Sequence, residues 1–255
     1  MPPELGRYAG LVLDLDGVVL LGGQPIPGAP EAIMRARAAG CGVVFATNNA
    51  TRTAAEVVGV LGDAGIAATE HEVATSSMAA AELVEPGTRC FVIGMAGLHE
   101  PLAARGALAV RDPAMVQAVV VGLDRTFTYE DLRLATHALR RGARFLATNT
   151  DRTFPAPEGL EPGAGAIVAA LVTASDREPE VAGKPHPPLY LTAAQRLPGG
   201  ALLMVGDRLD TDIAGAAALG WDTALVLTGV TTPAEAATAS PPPTYLAPSL
   251  ADLIP

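Results

Sequence analysis

Lysine is nearly absent from this 255-residue chain: Lys184 is the only one, and every other permanently cationic side chain is arginine. Aromatic residues are also scarce, at 4%, so the core must be built from Ala, Val, Leu and Ile. That supply suits buried parallel strands flanked by helices of small residues. Cysteine occurs twice, and neither Cys41 nor Cys90 has metal-type spacing. Both sit in apolar stretches, so buried free thiols are expected. Basic residues fall well short of acidic ones, giving a formal net charge of −10. This argues against a nucleic-acid partner, which needs a basic patch to displace counterions. It also means that an anionic ligand must be drawn in by a local positive group. No apolar run approaches the roughly 18 residues of a membrane span, and the first, AGLVLDLDGVV, is broken by two carboxylates. The chain opens without a basic region or a cleavage signal. A soluble cytoplasmic protein with no membrane partner is expected.

What is present is an alternation of strand-like and helix-like stretches. Strands are predicted over 10–16, 41–48, 89–95, 116–124, 143–149, 201–207 and 222–229. Helices are predicted over 28–40, 51–65, 76–87, 127–142 and 211–220. Thr128 and Asp131 stand at capping-box spacing, with Asp where Glu or Gln is usual. Such alternation implies parallel sheets with right-handed crossovers. The layout of RARAAGCGVVFATNNATRT (35–53) is echoed in HALRRGARFLATNTDRT (137–153), which suggests a second α/β unit inserted in mid-chain. Residues 155–165, rich in Pro and Gly, are predicted as a surface loop, and 241–250 as a C-terminal strap.

Four short motifs carry chemistry. In Leu13-Asp14-Leu15-Asp16-Gly17 an apolar strand runs into two carboxylates, at the strand end where α/β sheets gather reactive groups. Their mutual repulsion is costly unless a cation lies between them or one acid keeps a proton. One could then attack while the other exchanges protons; capping of a helix is the plainer alternative. Thr47-Asn48-Asn49 offers a hydroxyl and turn amides that could cradle an anion, though the same residues are common in ordinary turns. Lys184 lies in Gly-Lys-Pro, and its compact ammonium suits a small anion met end-on. Asp207, at the end of another apolar strand, could add a carboxylate to a magnesium site, while Asp210 and Asp212 serve equally well as helix caps.

Taken in order, DLDGV (14–18), ATNN (46–49), GKPHP (183–187) and GDRLDTDI (206–213) resemble the haloacid dehalogenase-like phosphatases, specifically class IIA, the nitrophenylphosphatase-like members. The likeness extends through VVGLDRTFTYEDL (120–132) and ATNTDRTFP…GLEPGAG (147–165) and covers nearly the whole chain. It implies an α/β fold: a Rossmann-like parallel-sheet core, residues 1–78 plus 180–255, with a smaller α/β cap inserted over 79–179. It also implies hydrolysis of small phosphorylated metabolites through an aspartyl-phosphate. Asp14 would be the nucleophile, and Asp16 the acid that protonates the leaving oxygen and then deprotonates water. Mg²⁺ would be held by the side chains of Asp14 and Asp207 and the backbone carbonyl of Asp16. Thr47 and the amides of Asn48 and Asn49 would bind phosphoryl oxygens. Lys184 would neutralise the phosphate and the nucleophile, and Asp212 would steer Lys184 or the metal's water from behind.

Relatives of this kind act on phosphoglycolate, glycerol phosphate, nucleotides and the artificial nitrophenyl ester, and some form homodimers. No exposed apolar stripe in the sequence points to a dimer. With Lys184 as the sole lysine, no second one exists for the Schiff base of the phosphonate-cleaving members. Asp16 is the residue that the dehalogenases lack. Within the cap, Asn149, Asp151, Arg152 and the 162–165 turn are candidate selectors of the leaving group, and His186 borders Lys184. The other histidines form no ligand cluster, and Gly163-Ala164-Gly165 lacks the third glycine of a dinucleotide loop. A phosphotransferase, or a protein that binds a phosphometabolite without turnover, is the alternative; a mere binder has no use for the second acid, Asp16.

Overall fold

The computed structural model describes residues 2–156 and 159–255. The chain divides into two compact units: Met1–Thr47, Ala54–Ala74 and Lys184–Pro255 make the first, and Asn48–Thr53 with Thr75–Gly183 the second.

The first unit is built on a six-stranded sheet in the order Tyr245–Ala247, Asp222–Val226, Leu202–Gly206, Gly10–Leu13, Gly42–Thr47, Val73–Thr75. The first five run parallel to their neighbours. Gly10–Leu13 and Leu202–Gly206 are buried at every position, which demands helices on both faces. Ala29–Ala38 answers part of that demand by burying Ala29, Ala32, Ile33 and Ala36, a single helical stripe. Strand order reverses between Gly10–Leu13 and Leu202–Gly206. Beyond the carboxyl ends of two strands that lead away in opposite directions, an open crevice forms. Leu13 pairs with both Val205 and Phe45, so the ends of the three central strands lie level.

The second unit carries a five-stranded parallel sheet in the order Glu180–Val181, Arg144–Ala147, Ala118–Val121, Arg89–Ile93, Leu108–Ala109. Its helix Tyr129–Arg140 begins with the expected capping box. Asp131 N–H donates to Thr128 Oγ1 at 3.2 Å, and Thr128 N–H donates to Asp131 Oδ2 at 3.1 Å, so the shorter acid closes the box. The internal echo is real at the level of backbone. Gly40 (φ 86°) and Gly142 (φ 99°) each stop a helix in the left-handed region and lead into a strand.

Two expectations are corrected. Part of the predicted 155–165 loop pairs as a hairpin, Thr153–Ala156 with Gly159–Pro162; residues 157–158 lie outside the described residues. Both strands of a two-stranded ribbon are edges, where proline is tolerated. The predicted C-terminal strap contains Tyr245–Ala247, the edge strand of the first sheet. Tyr8 pins that edge, with its hydroxyl 2.6 Å from Asp222 Oδ2 and 3.0 Å from the Tyr245 hydroxyl. Cys41 and Cys90 are buried free thiols. Among the described residues no helix is long and apolar enough to cross a membrane.

Candidate active site

Asp14 continues its strand by one residue, since its N–H donates to Val205 O at 2.9 Å. The chain then turns sharply: Val19 and Leu20 N–H both reach Leu15 O, and Gly17 N–H donates to Leu20 O at 2.7 Å. This turn needs Gly17, which sits at φ 90°, and it brings backbone against Asp207 at the end of the neighbouring strand. A Cβ on Gly17 would lie 2.6 Å from Asp207 Cγ, and one on Gly229 would strike Asp207 Oδ2. Two glycines therefore let main chain close on one carboxylate from two sides. Val230 N–H donates to Asp207 Oδ2 at 2.7 Å, whereas Asp207 Oδ1 is buried with no hydrogen-bond partner.

Lys184 reaches the same place from the start of the last segment of the unit. Its Nζ lies 2.6 Å from Asp14 Oδ1, 2.7 Å from Asp212 Oδ1 and 3.1 Å from Ala46 O, and its side chain is only 3% exposed. Asp14 and Ala46 accept hydrogen bonds from the ammonium, and Asp212 pairs with it by charge. Asp212 is wholly buried. It belongs not to the plain helix expected over 211–220 but to a wide turn, Leu209–Ile213, in which Ile213 N–H reaches back five residues to Arg208 O at 3.2 Å. The α-helix proper is Ala214–Ala218. Wide turns of this kind are rare and gather at functional sites. This one turns the Asp212 carboxylate inward, with Oδ2 accepting from Arg208 N–H at 3.2 Å.

Asp14, Asp207 and Asp212 each offer a carboxylate oxygen, all within 4.8 Å of one another. Burial pushes the Asp14 carboxyl well above the ordinary value, and repulsion from Asp212 and Asp207 adds to this, outweighing the attraction of Lys184. Asp207 is pushed up to about 6, by burial first and then by Asp212. Burial alone would lower Lys184, but Asp14 and Asp212 overcome it and hold the ammonium protonated. Three buried acids against one cation leave the cluster short of positive charge. The unsatisfied Asp207 Oδ1 and the all-oxygen donor set fit a hard divalent cation.

Asp16 is exposed in the turn after Asp14 and forms an isolated bridge with Leu20. Thr47 is buried at the end of its strand, beside the Ala46 carbonyl that accepts from Lys184. Asn48 and Asn49 belong to the second unit. There Asn48 O accepts from Ser76 Oγ and from Asn149 Nδ2, each at 2.7 Å, and Asn48 Nδ2 donates to Asp151 Oδ2 at 3.3 Å. Asn49 Oδ1 accepts from Thr51 N–H at 3.0 Å. Of the candidate selectors, Asn149 thus ties its own turn to the one at Asn48: its Oδ1 also accepts from Asp151 N–H at 3.1 Å. His186 is exposed. Sequence reasoning missed the Ala46 carbonyl and the Val230 amide, because backbone groups leave no mark in residue type, and it took Gly229 only as the end of a strand.

Residues 11–107 match the family model of haloacid dehalogenase-like hydrolases, and residues 181–253 match a second, HAD-hydrolase-like model. The chain is 43% identical over 250 residues to a D-glycerol 3-phosphate phosphatase of Mycobacterium tuberculosis, covering 95% of this chain and 70% of that one. It is 38% identical to an acid sugar phosphatase of Staphylococcus saprophyticus, covering 97% of both. Its fold superposes with a TM-score of 0.92 on the crystal structure of a glycerol phosphate phosphatase from M. tuberculosis in complex with magnesium, at 41% identity over 100% of this chain and 79% of that one.

Proposed function

Because this chain belongs to the haloacid dehalogenase-like hydrolases, among the class IIA phosphatases, we propose that it hydrolyses small cytoplasmic phosphomonoesters with Mg²⁺, through a phosphoryl group carried on Asp14. The observation that carries this reading is the Asp14 carboxylate, held at a strand end with Lys184 Nζ 2.6 Å from Oδ1 and two further acids close by.

Asp14 supplies the oxygen that attacks phosphorus; the bond from phosphorus to the ester oxygen breaks. Asp16, exposed two residues on, gives its proton to the departing oxygen. It then takes a proton from a water molecule, whose oxygen attacks phosphorus and releases Asp14 and inorganic phosphate. Lys184 stays charged throughout, balancing the phosphoryl oxygens and the attacking carboxylate. Thr47, with the amides of Asn48 and Asn49, is assigned to the phosphoryl oxygens. Asp14, Asp207 and the carbonyl of Asp16 would hold Mg²⁺, which when bound neutralises charge on the transferring group. These groups serve any phosphomonoester alike, so they do not choose the ester. The two relatives named for glycerol 3-phosphate and acid sugar substrates support a small polyol or sugar phosphate as the ester.

Turnover of nitrophenyl phosphate is expected to vanish in EDTA and return with Mg²⁺; activity that survives EDTA overturns the reading. Comparison of kcat/KM across glycerol phosphate, phosphoglycolate, a sugar phosphate and a nucleoside monophosphate then ranks the esters.

A second expectation concerns pH. The Asp207 carboxyl sits at about 6 against an ordinary 3.8. In the absence of a cation its contribution therefore stabilises the fold below 3.8 and is lost as pH rises through about 6. A cation at this site must displace that proton. The rise in Tm produced by saturating Mg²⁺ should accordingly be small at pH 5 and grow towards pH 7.5. Asp207→Asn should abolish it. Thermal melts showing a Mg²⁺ effect that is flat with pH, or retained in that variant, place the cation elsewhere.

A further inference from the structure

Tyr190 is among the largest fully buried side chains of the described residues. It lies in the helix Pro187–Ala194, six residues beyond Lys184, and has no part in the chemistry set out above. Its hydroxyl donates to Thr211 O at 2.6 Å. Thr211 stands immediately before Asp212, inside the wide turn Leu209–Ile213. On the far side of that turn, a Cβ on Gly215 would collide with the Tyr190 hydroxyl and lie 2.6 Å from Pro185 O. The backbone after the turn therefore presses on the tyrosine and on the residue next to Lys184. Trp221 meets the Tyr190 ring edge-on, at 5.8 Å and 89°, which fixes the direction of the hydroxyl.

We propose that Tyr190 is a positioning residue: its hydroxyl holds the wide turn so that Asp212 Oδ1 meets the Lys184 ammonium, and through that ammonium it sets the place of Asp14. A wide turn departs from the regular α-helical hydrogen-bond ladder, and a rotation there would swing Asp212 away from Nζ. One phenolic hydroxyl, itself part of a rigid ring packed between Gly215 and Trp221, supplies the missing restraint. The two ends of the lysine's ion-pair system are thereby tied to one helix: Lys184 just ahead of it, and Asp212 through Tyr190.

The composition provides a direct test, since ¹⁵N-lysine labelling gives a single side-chain ammonium resonance, that of Lys184. Tyr190→Phe is compared with Tyr8→Phe, which removes a hydroxyl from Asp222 and Tyr245 at the sheet edge and controls for general destabilisation. Tyr190→Phe is expected to shift or broaden the lysine signal and to lower kcat about tenfold, with KM within about twofold. Tyr8→Phe is expected to change neither. If Tyr190 acts through Asp212, adding Tyr190→Phe to Asp212→Asn brings no further loss in kcat. A lysine signal unmoved by Tyr190→Phe, or a tenfold loss that recurs in full in the Asp212→Asn background, overturns the proposal. The kinetic arm rests on the phosphatase reading. The resonance arm does not, and it alone decides if the parent protein turns over no ester.

Discussion

Asp14→Asn is expected to be inactive and yet, in EDTA, to melt at a higher temperature than the parent. The amide nitrogen that replaces one carboxylate oxygen is no nucleophile, and the loss in kcat should be on the order of 10⁴-fold or more. The gain in stability follows from the same crowding that makes the site useful. Burial raises the Asp14 carboxyl, Asp212 and Asp207 raise it further, and Lys184 does not make up the difference. A group whose folded-state pKa is raised stabilises the fold only at pH below its ordinary value, and its ionised form opposes folding above its folded pKa. At neutral pH the neutral amide removes that opposition while keeping an oxygen for Lys184 Nζ to bond. Each kcal/mol relieved raises Tm by about 2–4 °C in a chain of this size. In saturating Mg²⁺ the order should reverse, because the parent gains from the ion while the variant has lost one of its ligands. The crossing of the two melting curves is the readout. A variant that melts below the parent in EDTA shows that the Lys184 ion pair dominates, and that the cluster is not short of positive charge.

The strand ends that carry these groups were legible in the sequence because they break its grammar. In a chain so rich in Ala, Val and Leu, an acid directly after GLVL or LLMVG has no place in a core and so reads as chemistry. The capping box at Thr128 was legible for a similar reason, since its two side chains satisfy backbone groups only at that spacing. Alanine hid much of the rest. Ala96–Ala104 and Ala164–Ser175 lack a side-chain cap and show no clear contrast between faces, so period alone does not separate them from loop or buried strand. Pro187–Ala194, which opens on two prolines, is equally plain, and it hid Tyr190. Lys184 could be recognised as unusual but not located. Its partner Asp14 is 170 residues away along the chain, and only folding brings the two together. The wide turn at Leu209–Ile213 is still less visible: LDTDI reads as the start of an ordinary helix.

Lys184 is where charge and shape can be separated by substitution. Lys184→Met leaves Asp14 and Asp212 buried without their cation. Breaking a buried ion pair in this way costs about 3–5 kcal/mol, and loss of the positive group at the phosphate should lower kcat by about 10³-fold. Lys184→Arg keeps the charge but not the geometry. Acceptors stand 2.6, 2.7 and 3.1 Å from a single nitrogen, and a planar guanidinium cannot converge on them. Overpacking should cost about 1–3 kcal/mol, and the displaced charge about 10²-fold in kcat. The decisive variant combines Lys184→Met with Asp212→Asn. Removing one cation and one anion returns the cluster to its original formal charge, so melting should recover most of what Lys184→Met alone loses. Turnover should stay near the level of that single variant, because no side-chain cation then reaches Asp14 or the phosphoryl oxygens. If turnover recovers together with stability, Lys184 serves only to balance Asp212. If Lys184→Arg is fully active, charge alone suffices, and a chain otherwise confined to arginine has no physical reason to keep a lysine here.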